Sequence, residues 1–264
     1  MKHALPSLAA ALACLVVAPF ATAAFTEDFS GLDAWVTYKA GAGALDAEVA
    51  EGSLKLATET AIVNPAETRT VRAITKAASS DLNPFTGSEP VDIVFNDLAI
   101  QSAGATTTFL LGITPDNANA NIYGRSNSLY FAQNGTANAQ LVLRDGGAAT
   151  TVWSTTTASE LSLSYSSIAI SLTATTWSLA LYDQTGTALV NTSGLLTTPA
   201  NAGWQSALYM SLTLNQSSGT AGTAATTLLL GGINASQIPE PATIAALLGA
   251  IAAGCVALLR RRSR

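Results

Sequence analysis

The middle of the chain alternates apolar and polar residues with a period of two. In the run Thr108 to Thr114, Phe109, Leu111 and Ile113 share one face. Ile168, Ile170 and Leu172 do the same, as do Trp177, Leu179 and Leu181, and Leu208, Met210, Leu212 and Leu214. A two-residue period places alternate side chains on one side of a strand, whereas a helix would need 3.6. Further strands are predicted at 53–58, 70–75, 91–97 and 226–233. Ser and Thr fill most of the intervening positions, which suits a pleated surface. Asp145-Gly146 and Asn134-Gly135 supply the positive φ that tight hairpins need, and 183–186 reads as another turn. Between residues 25 and 238 no segment shows a helical period and no repeat recurs. The expectation is an all-β fold, an antiparallel β-sandwich or barrel.

The ends follow different rules. Met1 to Ala24 has Lys2, an apolar run from Leu5 to Phe20 and small residues at Ala21, Ala23 and Ala24. That order predicts an N-terminal signal peptide over 1–24, cut after Ala23 or Ala24. Ala242 to Leu259 holds eighteen residues without a charge. As a helix it would be about 27 Å long, close to the hydrocarbon thickness of a bilayer. Arg260, Arg261, Arg262 and Arg264 follow at once and predict a cytoplasmic end. Both ends then specify one topology, with the domain outside and the arginines inside.

Pro239-Glu240-Pro241 precedes this C-terminal transmembrane helix. Two prolines exclude a regular helix there and leave an extended stretch at the outer membrane face. Pro-Glu-Pro, an apolar span and a terminal arginine cluster, over 237–264, resemble the PEP-CTERM sorting signal of Gram-negative bacteria. The resemblance implies an exosortase as processing partner and a host that makes exopolysaccharide.

Composition narrows what the domain between the ends can do. Seven basic against sixteen acidic residues leave residues 25–238 at −9. Such a balance argues against nucleic acid and against charge-driven binding to anionic lipid. The segment holds no cysteine, since Cys14 and Cys255 lie in the end segments, so no disulfide staples it. It also holds no histidine, which removes Ser-His-Asp and Cys-His catalysis and His- or Cys-ligated zinc.

The opening "FTEDFSGLDAWVTY…EGSLKLAT" and the later "IAISLTATTWSLALYDQTGTALV" are similar to segments of concanavalin-A-like or laminin-G-like jelly rolls. The resemblance implies a jelly-roll sandwich over 25–236 and leaves its activity open. A jelly-roll glycosidase needs two carboxylates about 5 to 9.5 Å apart. Glu27 and Asp28 are adjacent, Asp46 and Glu48 sit in a Gly-Ala-rich turn region, and Asp92 and Asp97 fall on opposite faces. No catalytic residue, metal ligand or cofactor is assigned. Asp116 opens a polar turn rather than a calcium loop, because alanines hold positions 118 and 120; structural calcium elsewhere stays open.

Trp35, Trp177 and Trp204 read as core, the last if the strand through Leu208 extends back to it. Trp153 competes with Val152 for the inner face and is the candidate for stacking on a sugar. The expectation is an exported, exosortase-sorted protein of the cell surface or extracellular matrix, anchored by its C-terminal helix, with a structural or carbohydrate-associating sandwich. A jelly-roll carbohydrate hydrolase or lyase and an adhesin for another protein are the alternatives.

Overall fold

The structure, a computed structural model, describes residues 23–59, 68–86, 90–101, 107–117, 122–135, 138–155, 165–197, 199–217 and 225–237. Its strands are β1 (Ala23–Glu27), β2 (Trp35–Ala40), β3 (Glu48–Ala50), β4 (Ser53–Ala57), β5 (Thr68–Thr75), β6 (Val91–Asn96), β7 (Ala99–Gln101), β8 (Thr107–Thr114) and β9 (Ser128–Asn134). The rest are β10 (Asn138–Asp145), β11 (Ala148–Ser154), β12 (Ser167–Leu172), β13 (Thr176–Tyr182), β14 (Ala188–Leu195), β15 (Tyr209–Ser217), β16 (Thr227–Leu230) and β17 (Gly232–Gln237). The helical elements among the described residues are short 3-10 turns, at Ser80–Leu82, Ile122–Gly124 and Ala202–Gln205.

The described residues form three sheets, and every strand pairing within them is antiparallel. A six-stranded sheet runs β1-β17-β6-β12-β13-β14, and a seven-stranded sheet runs β11-β10-β9-β8-β15-β5-β2. A smaller sheet, β3-β4-β16-β7, adds Leu54, Leu56, Leu228 and Leu230 to the same core. The six-stranded sheet contributes Val91, Ile93 and Phe95 from β6, Ile168, Ile170 and Leu172 from β12, and Trp177, Leu179 and Leu181 from β13. Facing them are Phe109, Leu111 and Ile113 from β8 and Met210, Leu212 and Leu214 from β15. Each such side chain contributes about 1.5–3 kcal/mol by leaving water. The inner faces are those the two-residue period predicts, and the molecule is an all-β, antiparallel jelly-roll sandwich.

Local chemistry explains the turns. Gly146 and Gly147 hold φ of 59° and 91° between β10 and β11, and Gly186 holds 81° between β13 and β14. Trp35 is 2% exposed, and its indole Nε1 donates to Glu27 Oε2 at 2.8 Å, tying β2 to the end of β1.

Three expectations differ in detail. The run 226–233 is not one strand. It leaves the small sheet after Leu230 and enters the six-stranded sheet at Gly232. Trp204 does not extend β15 backwards but lies in the 3-10 turn Ala202–Gln205. It is nonetheless fully buried, edge-on to Phe85 at 4.9 Å between ring centres. Glu48 opens a strand rather than lying in a turn, and its carboxylate meets Lys55 Nζ at 2.7 Å.

Among the described residues no helix is long and apolar enough to cross a membrane. Residues 1–22 and 238–264 lie outside the described residues, and with them Ala21, Pro239, Glu240, Pro241, Arg260, Arg261, Arg262, Arg264 and the span 242–259. Ala23 and Ala24 are the first two residues of β1, with Ala23 in register with Ser236.

Candidate functional site

The seven-stranded sheet has a second face, pointing away from the core. Its register stacks side chains in rows across the strands. One row runs Ala40, Thr70, Asn215, Thr108, Asn134, Asn138. The next runs Tyr38, Arg72, Thr213, Leu110, Ala132, Gln140, and a third Val36, Ile74, Ser211, Gly112, Tyr130, Val142. An outer sheet face is ordinarily solvated, yet Leu110, Ile74, Tyr130, Ser211, Thr213 and Arg72 are each 2% exposed or less.

The β8–β9 connection provides part of this cover. Ile122 is buried in a separate apolar cluster with Leu110, Tyr130, Ala132 and Val142. Thr114 Oγ1 donates to the carbonyl of Asn127 at 2.8 Å, and Ser128 Oγ to that of Ile122 at 3.1 Å. Arg125, 2% exposed, donates to the backbone carbonyl of Asp116, and its Nη1 lies 3.3 Å from the Asp116 carboxylate. Arg144 Nε donates to the carbonyl of Arg125 at 2.9 Å. Gly112 makes the close packing of β8 on β9 feasible. A Cβ there would stand 2.2 Å from the Leu129 carbonyl oxygen and 2.6 Å from Tyr130 Cα.

Beside this cover a cleft of about 440 Å³ stays open, lined by Thr108, Leu110, Tyr130, Ala132, Asn134, Gln140 and Asn215. Leu110, Tyr130 and Ala132 give it an apolar and aromatic floor. Thr108, Asn134, Gln140 and Asn215 give it hydroxyl and amide groups. Thr70 Oγ1 donates to Asn215 Oδ1 at 2.5 Å, which leaves the Asn215 amide hydrogens as donors. Thr108 Oγ1 donates to Asn134 Oδ1 at 3.2 Å, and Asn134 Nδ2 to Asn138 Oδ1 at 2.8 Å. These hydrogen bonds fix the orientation of the polar row. Among the described residues no Asp or Glu lines the cleft. Among the described residues no three His, Cys, Asp or Glu side chains gather as metal ligands.

The arginines near this face are electrostatically strained by their setting. Burial pushes the Arg72 guanidinium down to about 10, and repulsion from Arg125 adds to this, while Tyr38 and Asp116 oppose it. Burial likewise lowers Arg125, against the pull of Asp116. Arg72 stays protonated at neutral pH. Its guanidinium carbon sits 5.0 Å from the centre of the Tyr38 ring, a cation–π arrangement.

Trp153 lies in β11 opposite Leu141, half-buried, with its ring packed against the main core. It does not line the cleft. The residues that do were missed because single strands were read one face at a time. A signal was present. In "TTFLLGIT", "SLYFAQ" and "TVRAIT" the supposedly outward positions hold Leu110, Tyr130, Arg72 and Ile74. Apolar residues at both phases mark a strand covered on both faces.

No protein-family model and no curated protein matches the sequence. Solved structures do match by shape. One is described under the heading that prominent members of the human gut microbiota express endo-acting O-glycanases to initiate mucin breakdown. Its TM-score is 0.53 at 10% identity, covering 83% of this chain and 100% of that one. Arcelin-5, a lectin-like defence protein from Phaseolus vulgaris, gives 0.52 at 12% identity, covering 81% and 96%. A Bacillus licheniformis β-glucanase gives 0.51 at 9% identity, covering 83% and 99%. The chain thus has the jelly-roll fold shared by lectin-like proteins and glucanases; at these identities the likeness is one of fold.

Proposed function

We propose that this is an exported protein whose sandwich associates with polysaccharide through the cleft on the outer face of the seven-stranded sheet. The observation that carries it is the lining: the half-buried hydroxyl and amide groups of Thr108, Asn134, Gln140 and Asn215, oriented by hydrogen bonds, around the buried Leu110 and Tyr130. Sugar hydroxyls match such a set of hydroxyl and amide groups. Shared fold with glycan-active proteins agrees with this but does not establish it. Paired carboxylates are the usual means of glycosidic hydrolysis, whereas the described lining residues offer hydroxyls and amides, groups that bind sugar hydroxyls.

The C-terminal sorting signal supplies the location. An exosortase recognises Pro239-Glu240-Pro241, the span 242–259 holds the protein in the membrane with Arg260 to Arg264 inside, and the sandwich is delivered to the surface or the exopolysaccharide matrix. The support is the order of these parts in the sequence.

Affinity electrophoresis against the extracellular polysaccharide of the producing cells tests the binding. Gln140→Ala and Asn215→Ala are each expected to weaken it about fivefold, the worth of one hydrogen bond. Retardation that neither variant changes would remove the cleft from consideration. Cell fractionation after deletion of 238–264 tests the sorting: the surface pool is expected to disappear.

A further inference from the structure

We infer that the bound glycan is uncharged, a neutral polysaccharide recognised through its hydroxyl groups; the inference rests on the cleft being a glycan site. The described residues that line the cleft stand on β8, β9, β10 and β15. The sequence holds no Asp, Glu, Lys or Arg over 98–115, 126–143 and 184–239. Those runs contain all of β8, β9 and β15, and β10 as far as Leu143. The cations nearest this face are engaged. Arg72 is fully buried with Tyr38 at 5.0 Å, and Arg125, 2% exposed, holds Asp116. Arg144 donates from Nε to the Arg125 carbonyl and from Nη2 to that of Gly147.

Two physical effects then act against a charged polymer. A carboxylate entering the cleft leaves water for hydroxyls and amides, which can hydrogen-bond it but cannot neutralise it, and an unpaired charge is costly to desolvate. The −9 of the domain adds repulsion, largely screened beyond about 8 Å at physiological salt, so desolvation at contact is the larger effect. A sugar hydroxyl meets no such cost, because it both donates and accepts. The lining answers both roles. Asn215 Oδ1 accepts from Thr70, which leaves its amide hydrogens to donate. Thr108 Oγ1 donates to Asn134 Oδ1 and keeps its lone pairs to accept. Gln140 carries a donor and an acceptor. From Asn215 on β15 through β8 and β9 to Gln140 on β10 is three strand spacings, about 14 Å. That is the reach of a run of sugar rings lying across the strands rather than of a single ring.

The test removes charge from one polymer and then adds it. Binding of the purified full chain is measured to the producing cells' extracellular polysaccharide after reduction of its carboxyl groups to alcohols. It is measured again after the primary alcohols of that material are oxidised to carboxylates. The oxidised polymer is expected to bind about tenfold more weakly, because its carboxylates meet no cation in the cleft. Binding of the reduced polymer should change by less than about twofold between low and high salt, since screening acts on charges. Gln140→Lys sets a cation at the cleft and should shift the ratio of the two affinities severalfold toward the oxidised polymer. A melting curve checks that the variant is folded, and Thr108→Lys carries the test if Gln140→Lys is not. Equal or tighter binding of the oxidised polymer, a steep loss of reduced-polymer binding with salt, or an unchanged ratio in a folded lysine variant overturns the inference and leaves the glycan site standing. Binding to neither polymer overturns the glycan site itself.

Discussion

Gly112 shows how one missing side chain sets the geometry of the cleft. It lies where β8 meets β9, with the Tyr130 backbone in the space a Cβ would need. Gly112→Ala should cost about 1–3 kcal/mol in urea unfolding, because the clash is with backbone and cannot be relieved by a rotamer change. It should also weaken polysaccharide binding, since Tyr130 must move. An unchanged midpoint would mean that the two strands can separate without loss. Asp183 offers a test by pH. Its Oδ1 accepts from Thr185 Oγ1 at 2.7 Å, Thr185 N at 2.8 Å and Thr187 N at 2.9 Å. These bonds, the Thr185 hydroxyl first, hold its carboxyl below the ordinary 3.8. A depressed folded value means the turn is fully stabilised above the ordinary carboxylate range, and that stability is lost as pH falls through the folded value. Carbon-detected NMR titration should find the Asp183 midpoint below 3.8, and Asp183→Asn should remove this acid-side loss from the β13–β14 hairpin.

At the scale of elements, hairpins were legible where glycine announces them and obscure where it does not. Glu51-Gly52 joins β3 to β4 with Ala50 opposite Ser53, and both loop residues have positive φ, 54° and 74°. This is a two-residue turn whose favoured sequence is Asn-Gly, and glutamate is strained in it. Glu51→Asn is expected to stabilise the protein by about 0.5–1 kcal/mol, read from the thermal midpoint. The split of 226–233 into β16 and β17 was not legible. Gly231 lies at the change of sheet, its N–H donating to the Asn96 carbonyl at 3.0 Å, and a Cβ there would stand 2.6 Å from Asp97 Cβ. Only the arrival of the β6 end explains why the chain turns at this residue.

At the scale of the molecule, stability comes from burial between sheets, because the sandwich has no cysteine. Its melting temperature should be the same with and without a reductant. A fall on reduction would mean that Cys14 or Cys255 remains and is cross-linked. By itself the sequence determined the strand period, the inner faces of β8, β12, β13 and β15, the turns at 134–135, 145–146 and 183–186, the absence of histidine from the domain, and the order of parts in the two terminal segments. These are local: alternation, turn residues and composition need no partner strand to be read. The tertiary structure decided the rest. It placed β15 between β5 and β8, which brings Asn215 beside Thr108 and Thr213 between Arg72 and Leu110. It packed Ile122 of the β8–β9 connection against Leu110, Tyr130, Ala132 and Val142, beside the cleft. Strand order and register join residues more than a hundred positions apart, and no period along a single strand records which strand will lie beside it.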